Sequence, residues 1–169
     1  MMDLPDFVWD WVQLAEGGFS NVSGDAGGRT QYGIAETWHP AEWADGKVTV
    51  AEARASYAAR YWTAHGCDRL PPALGLLCFD LFIQHPPLAA ARLWQYSIQE
   101  MPRDGVIGES TIRTGQRADL AVVQGRYFPR RATHYLDLLR ANATLLKFRE
   151  GWFARLFALQ RYLFTRVPR

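Results

Sequence analysis

Between residues 71 and 87 the chain reads PPALGLLCFDLFIQHPP, an apolar segment with a pair of prolines at each end. Proline suits the first turn of a helix and breaks a helix at interior positions, so Pro71-Pro72 opens a helix and Pro86-Pro87 ends it. The residues between are apolar on nearly all sides, which only a helix surrounded by protein tolerates. The chain must therefore supply partner helices, and the sequence shows them. Pro5 precedes a helical stripe of Phe7, Val8, Trp11, Leu14 and Ala15, which Gly17-Gly18 ends. Thr49, followed three residues later by Glu52, forms a capping box ahead of an alanine-rich helix, TVAEARASYAARYW. LAAARLWQYSIQEM continues as another helix, a further one starts near Ser110, and two more lie around 117–140 and 143–164. Residues 19–35 are rich in Gly, Ser, Asn and Asp, with Phe19, Val22, Tyr32 and Ile34 as sparse apolar anchors. That pattern suits a small β-hairpin region. The expectation is a mostly α fold, with a seam at Pro102–Gly105 between lobes 1–101 and 102–169.

Charge restricts the partners. A net charge of +2 gives no sign of a nucleic-acid binder. The distribution is uneven, however: from Arg126 onward ten Arg and Lys residues face only Asp137 and Glu150. Two readings fit, a face that meets a polyanion or anionic surface, and a solvated helix face. The last helix, LLKFREGWFARLFALQRYLFTR, alternates arginine with Phe, Trp and Leu. It is expected to dock on the N-terminal lobe, with contact to anionic membrane or lipopolysaccharide as the other reading. The first residues, MMDLPDFVWDWVQ, lack the basic start and continuous apolar block of a cleavable signal peptide. No uncharged run is long enough to span a bilayer. Cys67 and Cys78 lack metal or redox spacing and read as buried small apolar residues. His39, His65, His85 and His134 are scattered, so neither a metal nor another cofactor is expected.

The richest chemistry lies in LAEGGFSNVSGDAGGRTQYG, residues 14–33. Glu16 falls at a helix C-terminus, where the dipole disfavours added negative charge, and Trp9, Trp11 and Phe19 could wall it off from water. These conditions keep a carboxylic acid protonated and able to donate to a leaving glycosidic oxygen. Asp25 and Thr30 follow across the glycine-rich turn. A hairpin would fold them back toward Glu16, with the aspartate accepting a proton and the threonine holding a water beyond a bound sugar. Displacement by that water would invert the anomeric centre. The same residues also suit ordinary helix-stop and turn positions.

The motif EGGF–GDAGGRTQYGI resembles the hallmark of glycoside hydrolase family 108, in Glu16, Gly17, Gly18 and Phe19, then Asp25, Gly27, Gly28, Thr30, Tyr32, Gly33 and Ile34. The resemblance extends to YAARYW (57–62), DRLPPALGLLCFD (68–80), DGVIGEST (104–111) and FREGWFARL (148–156), the last two similar to a peptidoglycan-binding module. It implies a lysozyme-like helical fold and an N-acetylmuramidase that cleaves the β-1,4 bond between N-acetylmuramic acid and N-acetylglucosamine. Glu16 corresponds to the family's essential acid. A phage or prophage endolysin of this kind would be a monomer that acts on peptidoglycan glycan strands. It would stay in the host cytoplasm until a holin-type partner opened a route to the periplasm and wall. A lytic transglycosylase and a non-catalytic peptidoglycan-binding or secretion-assisting protein are the alternatives.

Several further residues are candidates for sugar contact. Tyr32 follows Thr30 with strand spacing, Gln31 stands where the family often has Asn, and Arg29 could pair with Asp25 or Glu16. Trp62 and Tyr61 offer aromatic faces at a helix end, although such residues also build cores. Asp80, alone in an apolar helix, needs a buried partner, expected to be the hairpin or a neighbouring helix end. Gln84-His85-Pro86-Pro87 departs from the family's Asn-x-Gly turn, which puts any substrate contact there in doubt.

Overall fold

A computed structural model describes residues 4–17, 28–98 and 102–168. The structure is mostly helical, with one two-stranded antiparallel sheet. It divides into two units after Thr63. Residues 102–105, expected to form the seam, fall inside the second unit and join two of its helices.

The first unit starts with α1 (Asp6–Glu16), whose buried face is Val8, Trp9, Trp11 and Val12. A short hairpin follows, β1 (Thr30–Gln31) and β2 (Ile34–Ala35), with Thr30 opposite Ala35 and Gln31 opposite Ile34. Helix α2 (Val50–Tyr57) starts at the expected capping box: Glu52 N–H donates to Thr49 Oγ1 at 3.2 Å, and Thr49 N–H donates to Glu52 Oε2 at 2.8 Å. Arg54 ties α2 to the chain's start, donating to Asp6 at 3.0 Å and to the Leu4 carbonyl. The helix does not simply continue to Trp62. Residues Ala58–Thr63 widen into a π-helical turn, a distortion common beside functional sites.

The second unit is built around α3 (Pro72–Gln84), buried without a break from Ala73 to Phe82. Helix α4 (Pro87–Ile98) packs between α3 and α6 (Leu120–Ala141), and α7 (Arg149–Thr165) packs on α6. Helix α5 (Glu109–Arg117) is a separate short element. Cys67 and Cys78 are fully buried and not disulfide-linked.

Asp80 organises this unit. Its partners come from helix interiors, not from a hairpin or helix end. Arg131 of α6 donates to Asp80 Oδ2 at 2.5 Å, and Arg155 of α7 donates to Oδ1 at 2.7 and 3.1 Å. Arg131 also donates to the hydroxyls of Tyr127 (2.6 Å) and Tyr135 (2.8 Å) and to Gln84 Oε1 (3.0 Å). Those hydroxyls pass their own protons on, Tyr127 to the Leu77 carbonyl and Tyr135 to Gln84. Gln84 is therefore a member of this buried network. Burial pushes the Asp80 carboxyl upward, but Arg155 and Arg131 outweigh it and hold the group well below the usual carboxylate range.

Removing the carboxylate strands two buried guanidinium groups. Asp80→Ala is expected to destabilise the protein by about 3–5 kcal/mol, measured by urea unfolding. A loss under about 1 kcal/mol would show that water, not Asp80, solvates the arginines.

His85 adds a pH dependence. Burial, helped by the Arg131 charge, lowers its pKa from 6.5 to about 3. As pH falls through that window, the unfolded chain takes up a proton that the folded chain refuses, so stability drops. Thermal midpoints should therefore fall from pH 6.5 toward about 3, and His85→Phe should flatten this slope. An unchanged slope in the variant would assign the effect to other groups.

Candidate active site

Glu16 is the last residue of α1, half-buried, and Gly17 ends the helix with a φ of 76°. The hairpin reverses through Tyr32 and Gly33, both with positive φ (52° and 76°). Positive φ at both central residues is the type I′ turn, whose twist matches that of the flanking strands. Gly33 is required twice over. A Cβ there would stand 2.5 Å from Tyr57 Oη and 3.0 Å from Glu16 Cβ, so the Glu16 side chain lies directly against the turn.

Tyr32 is a bulky residue in the left-handed region, a conformation that costs free energy and persists only when its surroundings enforce it. Two contacts do so. Tyr57 Oη donates to the Tyr32 carbonyl at 3.0 Å, and the Trp9 ring meets the Tyr32 ring edge-on at 5.6 Å. The Tyr61 ring lies 5.7 Å from Tyr57, one turn along the π-helical segment. Burial raises the Tyr61 phenol, Arg60 opposes the rise and the Glu16 carboxylate adds to it. Glu16 thus sits among α1, the hairpin turn and a pair of tyrosines.

The other candidates occupy different roles. Thr30 is half-buried at the base of the hairpin. Asp25 lies outside the described residues, as do Gly18, Phe19 and Gly27. Arg29 does not reach Glu16. It grips Glu36 with two bonds of 2.7 and 2.9 Å, donates to the Gly46 carbonyl at 3.0 Å, and lies over the Trp43 ring. Gln31 accepts from Val48 N–H at 3.1 Å. Arg29 and Gln31 thus brace the loop from 36 to 48 against the hairpin. Trp62 is 5% exposed, with its ring edge-on to Phe7, and so belongs to the core of the first unit.

Tyr57 and Glu42 were missed in the sequence. Tyr57 and Tyr61 are four residues apart on one helical face, a signal that could have been read from the alanine-rich helix. Glu42 lies in the irregular stretch HPAEWADG, where no periodicity points to it. It accepts from Ser56 at 3.0 Å and Arg60 at 2.8 Å, with His39 Nδ1 at 3.8 Å. Burial raises the Glu42 carboxyl, but its backbone bond, Ser56 and Arg60 prevail and hold it below the usual range. Beside it a cavity of about 20 Å³, lined by Gly33, His39, Ser56, Tyr57, Arg60 and Tyr61, has room for a single water. Among the described residues no group of His, Cys, Asp or Glu is arranged to hold a metal ion.

Gly33→Ala tests the turn. Left-handed backbone costs an alanine about 1–2 kcal/mol, and its Cβ would also displace Tyr57 or Glu16. Both stability and turnover should fall. Gly46→Ala also has positive φ (83°), but nothing lies within 4 Å of its added Cβ. It should lose comparable stability while keeping turnover. Equal turnover in the two variants would detach the turn from catalysis.

Residues 9–85 match the model of glycosyl hydrolase 108. A solved structure of Brucella abortus SagA is similar over 94% of this chain and 94% of its own, with 25% sequence identity and a TM-score of 0.71, so the fold is lysozyme-like. No curated protein sequence matches the chain. Residues 9–85, which hold Glu16 and the hairpin, are thus the part of the chain similar to the glycosyl hydrolase 108 family.

Proposed function

We propose that the protein is a peptidoglycan hydrolase, an N-acetylmuramidase cleaving the β-1,4 bond between N-acetylmuramic acid and N-acetylglucosamine. The observation that carries this reading is the Glu16 carboxylate side chain lying against the Tyr32–Gly33 turn, inside the family-matched segment. Glu16 protonates the glycosidic oxygen as the bond breaks. Asp25 and Thr30 hold and deprotonate the water that attacks the opposite face of the sugar. Inversion by this route needs carboxyl groups about 6.5–9.5 Å apart. Tyr32 lines the sugar's approach to Glu16, while the Tyr57 hydroxyl fixes the turn that bears it.

The setting of that activity is also proposed. The enzyme acts as a monomeric endolysin on glycan strands, without a cofactor. It waits in the host cytoplasm and reaches the wall through a lesion made by a holin-type partner. No described helix is long and apolar enough to cross a membrane, which fits dependence on such a partner. Exposed Phe157 and Phe164 on α7 support contact with anionic membrane or lipopolysaccharide once the enzyme is released.

Glu16→Gln should lower turnover of purified peptidoglycan by roughly 10²–10⁴-fold, the range for a general acid, with unfolding unchanged. Asp25→Ala should cost less. Mass spectrometry of the released muropeptides should find hydrated reducing ends at muramic acid. Anhydro-muramyl ends would make the enzyme a lytic transglycosylase, and near-normal turnover by Glu16→Gln would sink the assignment of the acid.

A further inference from the structure

The second unit holds a cavity of about 280 Å³ that plays no part in the proposed hydrolysis. Its basic side chains come from three stretches of chain: Arg92 on α4, Arg103 on the turn after α4, and Arg130 with His134 on α6. The Tyr96 ring forms a common platform, with the Arg103 guanidinium 4.4 Å and the Arg130 guanidinium 5.5 Å from its centroid. Like charges gathered on one ring repel each other, so the arrangement favours an anion between them. No ion pair joins Arg92, Arg103 or Arg130 to a carboxylate among the described residues. Among the described residues two acids lie close by, Asp104 feeling the Arg92 charge and Asp137 acting on His134, but their hydrogen bonds go elsewhere. Asp104 accepts from Gln95 at 2.6 Å and from Val106 N–H at 2.9 Å, and Asp137 pairs with Arg140 at 3.2 Å.

The pocket is held in place from beneath. Gln95, fully buried on α4, donates to Asp104 and to the Val106 carbonyl and accepts from Gly105 N–H at 3.0 Å. The turn that carries Arg103 is thus anchored next to Tyr96. Three guanidinium groups from separate segments bring more positive charge than a singly charged carboxylate balances. A phosphate has enough oxygens to accept from several guanidiniums at once.

We propose that this pocket binds a phosphate group, carried either by a soluble phosphate compound or by an anionic lipid headgroup. Leu88, 53% exposed, and Val106, 62% exposed, flank the turn and would meet the apolar part of a lipid.

The full chain is titrated with inorganic phosphate while the arginine Nε–H signals are followed by NMR. Saturable shifts are expected at Arg103 and Arg130. Arg103→Gln and Arg130→Gln should each weaken binding roughly tenfold, as expected for one charged hydrogen bond, with helix content unchanged. Arg161→Gln, an exposed arginine outside the pocket, should leave binding unaltered. Sedimentation with phosphatidylcholine vesicles, with and without phosphatidylglycerol, separates the two sources. Binding that requires phosphatidylglycerol and is lost in both pocket variants identifies a lipid headgroup, whereas phosphate binding without vesicle binding identifies a soluble ligand. The proposal is overturned if neither probe binds saturably, or if Arg161→Gln weakens binding as much as the pocket variants do.

Discussion

A single carboxylate joins three helices of the second unit, because Asp80 on α3 accepts from Arg131 on α6 and Arg155 on α7. The cluster holds one carboxylate against two guanidinium groups, so it carries net positive charge in the interior. Such a cluster survives burial only when every remaining donor finds an acceptor. Tyr127, Tyr135 and Gln84 provide acceptors for Arg131. The geometry is demanding: sliding α6 by one residue would carry Arg131 away from Asp80. Apolar packing alone tolerates such shifts more readily than a network of directional bonds does. The network therefore sets the register of α6 and α7 on α3, and with it the placing of Arg130 and His134 beside α4.

The first unit rests on a local constraint of another kind. Two consecutive residues with positive φ turn the hairpin back toward α1, and one of them is a tyrosine. Its backbone strain is offset by the Tyr57 hydroxyl and the edge of Trp9. The turn is thereby pressed against Glu16. In the proposed function Glu16 donates a proton and must be held within a fraction of an ångström of its working position, to which the backbone packed against its Cβ and Cγ contributes. The π-helical segment supports the arrangement by carrying Tyr61 next to Tyr57.

The basic C-terminal third, read as one electrostatic feature in the sequence, separates into several. Arg131 and Arg155 are structural, Arg140 pairs with Asp137, and Arg130 joins residues from two other stretches in a pocket. Net charge along the chain could not make this distinction, because it ignores which residues face inward. Arg29 and Gln31 show the same limit on a smaller scale. Their neighbours in sequence are candidate catalytic residues, yet their bonds run to Glu36, Gly46 and Val48.

By itself the sequence determined the helical class, the central helix between its proline pairs, the capping box at Thr49 and the interest of Glu16 before Gly17-Gly18. These follow from local rules: proline geometry, hydrophobic periodicity, cap hydrogen bonds and glycine's freedom at positive φ. The partners of Asp80, the burial of Trp62, the seating of Glu16 on Gly33 and the meeting of Arg92, Arg103 and Arg130 around Tyr96 were decided only by the tertiary structure. Apart from the three pocket residues within α4 and its following turn, these contacts join residues far apart in the chain. No local pattern encodes them, because their geometry exists only once the helices have packed.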